Sequence, residues 1–555
     1  MSTGTADPGL ERSATSGSKV GHGLKWTMGG EWLGYLLQIG TIAILARQLT
    51  PEIFGVMAMA LTLTVIVDQL RGLGLSQAVI QREDLTWVQV NALFWINAAF
   101  GLLLAGIVAA TGPVLAAFYD EPQLVEICLV LGVSYAFAGV AMQHGALLNR
   151  HMRFKSLATR NMVARTVSSV VAIAAAAAGL GIWALVLQQV LLVVLAAAFV
   201  WLAVDWRPGR PRELRAALHL VRFGSLVTLS NLLHSVSRQA DNIIIGRVLG
   251  AGALGLYTRA YALLTLPLRQ IKNPISAVMV PTLSALQGEP ERYRRAYGRA
   301  INGLAHAGMP AVVILAVAAP EVIEVFLGGQ WTQAATIFQL LALTSLIQLI
   351  STTAGWLFVT FGRGGAAAVW AAVNAAGTIT AFLIGVQWGV EGVAAAYTIS
   401  QIVLTGPAFA VACRDTPVRP VDALVAVLRP LAVSAAVLAA AVAMRAVLPE
   451  SWPALAGLIL ITVAAVLAWL AMLVAWARAR DEVVDLYQTI RGRKVRHDRQ
   501  PPRHRRTSRL QRRTPPRADP GVDPGAGLPR PRADRVGQRV HGSYRADRRR
   551  VRASR

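Results

Sequence analysis

Along most of its length the chain alternates long apolar runs with short polar or Pro/Gly interruptions, and the runs share a characteristic size. A helix needs roughly 20 mainly apolar residues to cross a bilayer. About fourteen segments satisfy this, near 26–46, 53–77, 88–111, 124–148, 160–178, 181–204, 219–246, 252–275, 300–319, 333–360, 365–386, 389–412, 421–447 and 453–476. The pattern predicts an all-α polytopic membrane protein.

Basic residues are retained on the cytoplasmic side during insertion, so their distribution checks the segment count independently of hydropathy. Clusters fall at Arg150, Arg153, Lys155 and Arg160, at Arg207, Arg210, Arg212 and Arg215, at Arg292, Arg294, Arg295 and Arg299, and then at Arg414 and Arg478. The intervening connections carry Asp120 and Glu121, the Gly179-Leu180-Gly181 turn, Glu321 with Glu324, and Glu450. This alternation fits fourteen helices with both termini in the cytoplasm.

The chain also resembles itself. Residues 45–63 and 245–263 align at a shift of 200 through Arg47/Arg247, Leu49/Leu249, Gly55/Gly255, Ala60/Ala260 and Leu63/Leu263. Gly181-Ile182 and Gly392-Val393 match at a similar shift in the sixth and twelfth segments. Two lobes of six helices are expected. Because six is even, they share one orientation and form parallel repeats about an axis along the membrane normal. The expected organisation is a polar N-terminus over 1–23, a first lobe over 24–206, a second over 207–415, two extra helices over 416–480, and a basic, disordered cytoplasmic tail over 481–555.

Composition sharpens this picture. The chain is 55% hydrophobic and 15% charged across 555 residues, which suits one lipid-embedded body better than several soluble domains. The first 23 residues hold no short apolar core before a small-residue cleavage site, so no cleavable signal is expected. Cys128 and Cys413 are the two cysteines, and they give neither a disulfide framework nor a metal spacing. The formal charge of +25 suggests nucleic acid until it is divided by position. From Arg491 onward there are 22 Lys/Arg and 5 Asp/Glu, leaving about +8 for the rest. No nucleic-acid partner is implied. The tail is either a polybasic segment drawn to anionic lipid head groups or an extension without a role.

Polar side chains at membrane depth are costly and default to functional candidates. In the seventh segment Asn231, His234, Arg238 and Asp241 are spaced by 3, 4 and 3 residues, which puts them on one helical face. The first segment carries Glu31, Tyr35 and Gln38, and the 200-residue shift superposes Glu31 on Asn231 and Gln38 on Arg238. The second adds Thr64, Asp68 and Arg71, and the eighth adds Arg259, Arg269 and Lys272. Together they suit the lining of one cavity between two lobes. A structural alternative stands beside this. Asp68/Arg71 and Arg238/Asp241 are i,i+3 pairs able to neutralise each other, while Arg269 and Lys272 sit where long side chains snorkel to the interface. Glu31 and Arg259 have no obvious local partner. The sequence has no phosphate-binding G-x-x-x-x-G-K-[ST] loop, no paired Asp-x-Asp for a divalent cation, no His/Cys metal cluster and no serine-nucleophile motif. No cofactor is implied.

Five stretches carry a resemblance to a known family: Leu45-Ala-Arg47-Gln-Leu-Thr-Pro-Glu-Ile-Phe-Gly55, Gly72-Leu-Gly74, Asn149-Arg150 with Phe154, Ser237-Arg238-Gln-Ala-Asp241-Asn-Ile-Ile-Ile-Gly246-Arg-Val-Leu-Gly250, and Leu254-Gly-Leu-Tyr257-Thr-Arg259-Ala. In this order they resemble the polysaccharide transporters of the multidrug/oligosaccharidyl-lipid/polysaccharide exporter superfamily, over residues 24–412. The resemblance implies two six-helix lobes around a central cavity in the cytoplasmic membrane, alternating access, and a substrate made of sugars on a polyprenyl pyrophosphate. It implies that Arg238, Arg259, Lys272 and Arg71 meet the pyrophosphate, with Asn231 and Gln38 in the same substrate cavity. Glu31, Asp68 and Asp241 become candidates for coupling to a proton or sodium ion. Membrane lipids and polysaccharide polymerase or export machinery are the expected partners. Three alternatives remain: an ion-coupled multidrug exporter, whose cavity calls for acidic and aromatic groups; a membrane glycosyltransferase or polymerase, for which the metal-binding acidic pair is missing; and a scaffold, suggested only by the tail.

Overall fold

The computed structural model describes residues 17–71, 79, 85–211, 235, 238–449 and 451–475. Every regular element among them is helical: α1 (Gly17–Gln48), α2 (Pro51–Arg71), α3 (Trp87–Tyr119), α4 (Leu124–Arg150), α5 (Phe154–Ala177), α6 (Ile182–Ala203), α7 (Ala240–Ala285), α8 (Pro290–Val317), α9 (Ala319–Phe326), α10 (Ala334–Thr360), α11 (Gly364–Gly385), α12 (Gly389–Cys413), α13 (Pro420–Val447) and α14 (Ala454–Ala475). All but the eight-residue α9 are long, and ten stretches are long and apolar enough to cross a membrane. Thirteen of the fourteen expected segments have a long helix. The other, 219–246, falls largely outside the described residues, as do the N-terminal and C-terminal tails.

Several helices overrun their expected ends. α3 continues through Pro113 to Tyr119, and α7 passes Pro267, Pro274 and Pro281 before ending at Ala285. A proline removes one backbone donor, and within a helix bundle neighbouring groups can re-satisfy the freed carbonyl, so proline punctuates a membrane helix less than a soluble one. Side chains supply the local boundaries elsewhere. At the start of α3 the Thr86 hydroxyl accepts from Gln89 N at 3.4 Å, and Gln89 Oε1 accepts from Thr86 N at 3.2 Å. This reciprocal box satisfies two donors that the first turn leaves unpaired.

The exterior is apolar. Leu102, Leu129, Val369, Val403 and Leu424 are all more than half exposed, which would be an aggregation hazard in water and is the expected surface in lipid. The interior contains one large buried cluster running from α1 and α2 through α7, α8, α10 and α12.

The two halves of the helix order meet along α2 and α7. A Cβ on Gly55 would lie 1.8 Å from the Ala251 carbonyl oxygen, and a Cβ on Gly255 would lie 1.8 Å from the Pro51 carbonyl oxygen. Only glycine allows backbones this close. The contact is reciprocal: adding 200 to Gly55 and Pro51 gives Gly255 and Ala251. Around this seam Arg47 Nη2 donates to Val325 O at 2.8 Å, Gln330 Nε2 to Ala46 O at 2.6 Å, and Trp331 Nε1 to Ala46 O at 2.8 Å. Arg247 lies over the Phe118 ring at 5.8 Å. The two halves are therefore tied together at the end where α2 begins.

α13 and α14 attach outside this arrangement. Asp422 accepts from Arg419 N at 2.8 Å at the start of α13 and pairs with Arg294 Nε at 3.2 Å. Asn302 Nδ2 donates to Ala426 O at 3.0 Å. Both contacts join α13 to α8.

Candidate functional site

The residue that shapes the site is Gly250. Its φ of 83° and ψ of −177° break α7 into two arms, a backbone conformation that side chains disfavour and glycine permits. The turn brings positions 16 residues apart together: the Tyr257 hydroxyl donates to Asp241 Oδ2 at 3.1 Å. Asp241 Oδ1 accepts from Asn242 N at 2.8 Å. Tyr257 and Tyr261 stack at 6.2 Å with their rings 6° apart.

These two arms form a wall of a cavity of about 1100 Å³. Arg238, Asp241, Arg259, Arg269 and Lys272 all line it, and α2, α10, α11 and α12 close the other sides. Across from α7, Gln348 Nε2 donates to the Tyr397 hydroxyl at 2.7 Å. Among the described residues, none of Arg238, Arg259, Arg269 and Lys272 has a carboxylate within ion-pair distance. Arg259 has its guanidinium carbon 4.9 Å from the centre of the Phe54 ring, and its Nε is buried without a hydrogen-bond partner.

Two sequence expectations change here. Arg238 does not pair with Asp241, because Gln239 lies between them at φ −103° and ψ 5° and interrupts the helix that the i,i+3 spacing presupposes. Arg269 and Lys272 line the cavity instead of reaching outward to the lipid interface. The other i,i+3 pair does form: Arg71 Nη1 lies 3.5 Å from Asp68 Oδ1 at the end of α2. Neither Asp68 nor Arg71 lines the cavity. Asn231, His234 and the side chain of Glu31 lie outside the described residues.

A second cavity of about 290 Å³ lies against the first-half helices α1, α2, α5 and α6. Gln38 lines it, together with Arg165, Ser169, Gln188 and Gln189, which the sequence analysis did not single out. Arg259 lines both cavities. Arg165, Ser168 and Ser169 are spaced i, i+3, i+4 along α5, which also carries Lys155, Arg160 and Asn161, and Gln188-Gln189 is a polar pair within the apolar α6. That signal was available in the sequence.

A lipid-facing helical body around a cation-rich cavity defines a membrane transporter class. Residues 44–336, just over half of the chain, match the family model described as "Polysaccharide biosynthesis protein", and the chain belongs to that family. It is 27% identical to the teichuronic acid biosynthesis protein TuaB of Bacillus subtilis (strain 168), over 63% of this chain and 72% of that one. It is 22% identical to the lipopolysaccharide biosynthesis protein WzxC of Escherichia coli (strain K12), over 69% and 78%, and 26% identical to the succinoglycan biosynthesis transport protein ExoT of Rhizobium meliloti (strain 1021), over 68% and 77%. Its fold is similar to the lipid II flippase MurJ in an inward closed conformation, with a TM-score of 0.65, 12% identity, and coverage of 80% of this chain and 97% of that one. It is also similar to an inward-facing multidrug resistance transporter of the MATE family, with a TM-score of 0.54, 17% identity, and coverage of 73% and 94%.

Proposed function

We propose that the chain is a flippase that moves polyprenyl-pyrophosphate-linked oligosaccharide units across the cytoplasmic membrane by alternating access. The observation that carries this is the set of cations, Arg238, Arg259, Arg269 and Lys272, facing one cavity with no carboxylate partner among the described residues. Pyrophosphate keeps its charge at physiological pH, and arginine grips it with paired hydrogen bonds. An exporter of organic cations would need carboxylates in excess of cations, whereas among the described residues Asp241 alone faces four cations here, although Tyr257, Tyr261 and Tyr397 add aromatic rings to the lining.

The working architecture is two six-helix lobes, 24–206 and 207–415, with helices 416–480 added outside and both termini in the cytoplasm. The reciprocal Gly55/Ala251 and Gly255/Pro51 contacts support a two-fold relation between the lobes. Gln38 and Asn231 belong to the sugar-binding surface. Asp241 is the coupling candidate placed in the cavity, ahead of Glu31 and ahead of Asp68, which is already paired. Arg71 shares that pair and is therefore the weakest of the proposed pyrophosphate ligands. Polymerase or export machinery is the natural partner for the delivered unit.

The test is the lipid-carrier pool of a deletion strain, separated by leaflet and complemented with variants verified as inserted. A complete lipid-linked unit should accumulate on the inner leaflet and be cleared by the intact chain. Arg238→Ala and Arg259→Ala should each slow clearance roughly 10- to 100-fold, the worth of a charge-assisted hydrogen bond at about 1.5–3 kcal/mol. Normal leaflet pools with truncated or unpolymerised sugars would move the chain to the enzyme class.

A further inference from the structure

Resting on that function, we propose that the two cavities divide the substrate between them: the larger holds the pyrophosphate, and the 290 Å³ pocket holds the first sugar attached to it. The two linings differ in balance. The larger cavity gathers four cations, donors that suit phosphate oxygens, alongside neutral groups such as Gln348, Asn374 and Gln401. The smaller has Arg165 and the shared Arg259 in its lining, and the rest of its polar lining is Gln38, Thr41, Ser168, Ser169, Gln188 and Gln189, neutral amides and hydroxyls that both donate and accept. Sugar hydroxyls also do both.

Three side chains in this pocket, Gln38, Arg165 and Gln189, make no hydrogen bond among the described residues. Gln188 Nε2 reaches Ser169 Oγ only at 3.5 Å. At membrane depth, polar groups without protein partners are costly and mark a substrate path. Gathered around one space, they form a surface awaiting a polyhydroxylated ligand. The space holds on the order of ten waters at ~30 Å³ each, the scale of one sugar ring and not of a whole repeating unit.

Arg259 fixes the register between the two sites. It lines both cavities, and its unpartnered Nε is buried at their common wall. A phosphate held there leaves its glycosidic oxygen pointing toward the amide-lined pocket and its other phosphate toward Arg238, Arg269 and Lys272.

The test measures binding of two probes to the full chain in nanodiscs: a short-chain polyprenyl pyrophosphate, and the same lipid carrying one hexose. The intact protein should bind the hexosylated lipid ~10-fold or more tightly, since sites built to hydrogen-bond a hydroxyl discriminate strongly. Gln38→Leu with Gln189→Leu should erase that gap while keeping the affinity for the bare lipid, which also reports that the variant is folded. Equal affinity of the intact protein for both probes would overturn the subsite. Equal weakening of both probes in the double variant would place phosphate in the pocket and overturn it as well. Arg238→Ala should weaken both probes alike. If it weakens neither, or if neither probe binds, the proposed function itself falls and the subsite with it.

Discussion

Arg259 carries more of the site than any other single side chain, and its geometry makes it hard to replace. The guanidinium carbon lies 4.9 Å from the centre of the Phe54 ring, a cation–π contact worth about 0.5–2 kcal/mol, and Nε has no hydrogen-bond partner among the described residues. Lysine keeps the charge but loses both the stacking and the two-pronged grip. Arg259→Lys should therefore recover less than about a tenth of intact transport in the leaflet-pool measurement. Restoration to the intact level would mean that only the charge matters. Asp241 offers a different prediction. It accepts from Tyr257 and Asn242 and not from Arg238, so Asp241→Asn should leave the fold in place. If Asp241 couples transport to an ion, transport by that variant in proteoliposomes should no longer respond to an imposed proton or sodium gradient. A full response would remove Asp241 from the coupling role.

Among the elements, the pairing of α2 with α7 sets how the halves meet. Gly255→Val would drive a side chain into the Pro51 carbonyl and should destabilise the protein by roughly 3 kcal/mol or more, read as a lowered thermal midpoint in detergent. Gly106→Val, where an added Cβ meets nothing within 4 Å, is the matched control and should change stability by no more than ~0.5 kcal/mol. At the junction of α8 and α13, Asp422→Ala removes a half-buried partner of Arg294 and the acceptor for Arg419 N. A loss of about 1–2 kcal/mol is expected there, with transport by the inserted protein retained, because neither cavity is lined by α13.

How much of this was legible in the sequence depended on range. Apolar run length located thirteen of the long helices because spanning lipid is a local requirement. Of the polar stripe expected at Asn231, His234, Arg238 and Asp241, the described members Arg238 and Asp241 line one cavity, and Arg259, Arg269 and Lys272 from the next segment line it with them. What escaped was set by distant neighbours. Nothing at Gln239 announces a break in the helix, so the Arg238/Asp241 pair looked plausible. Asp68 and Arg71 looked like cavity residues until they were seen paired outside it. Arg165 went unremarked because its helix also carries Lys155 and Arg160, and which of these cations enters a cavity shows only when Gln38, Gln189 and Arg259 are found lining the same one.

For the whole molecule, the formal charge of +25 belongs mainly to the segment from Arg491 onward. Deleting that segment should leave leaflet clearance unchanged, whereas loss of clearance from inserted protein would give the tail a working role. The charge that matters for transport is the smaller one inside the bundle. Among the described residues, four cations against one carboxylate give the large cavity about three positive charges, and a bound pyrophosphate cancels most of them. An inside-negative voltage acts on such a difference. Each charge crossing 100 mV is worth about 2.3 kcal/mol, so the field should hold the empty protein open toward the cytoplasm and release it once loaded. The membrane potential then acts as a rectifier, suppressing futile turnover without any dedicated latch. In proteoliposomes, collapsing the voltage should raise the outward-open fraction of empty protein and leave that of loaded protein nearly unchanged.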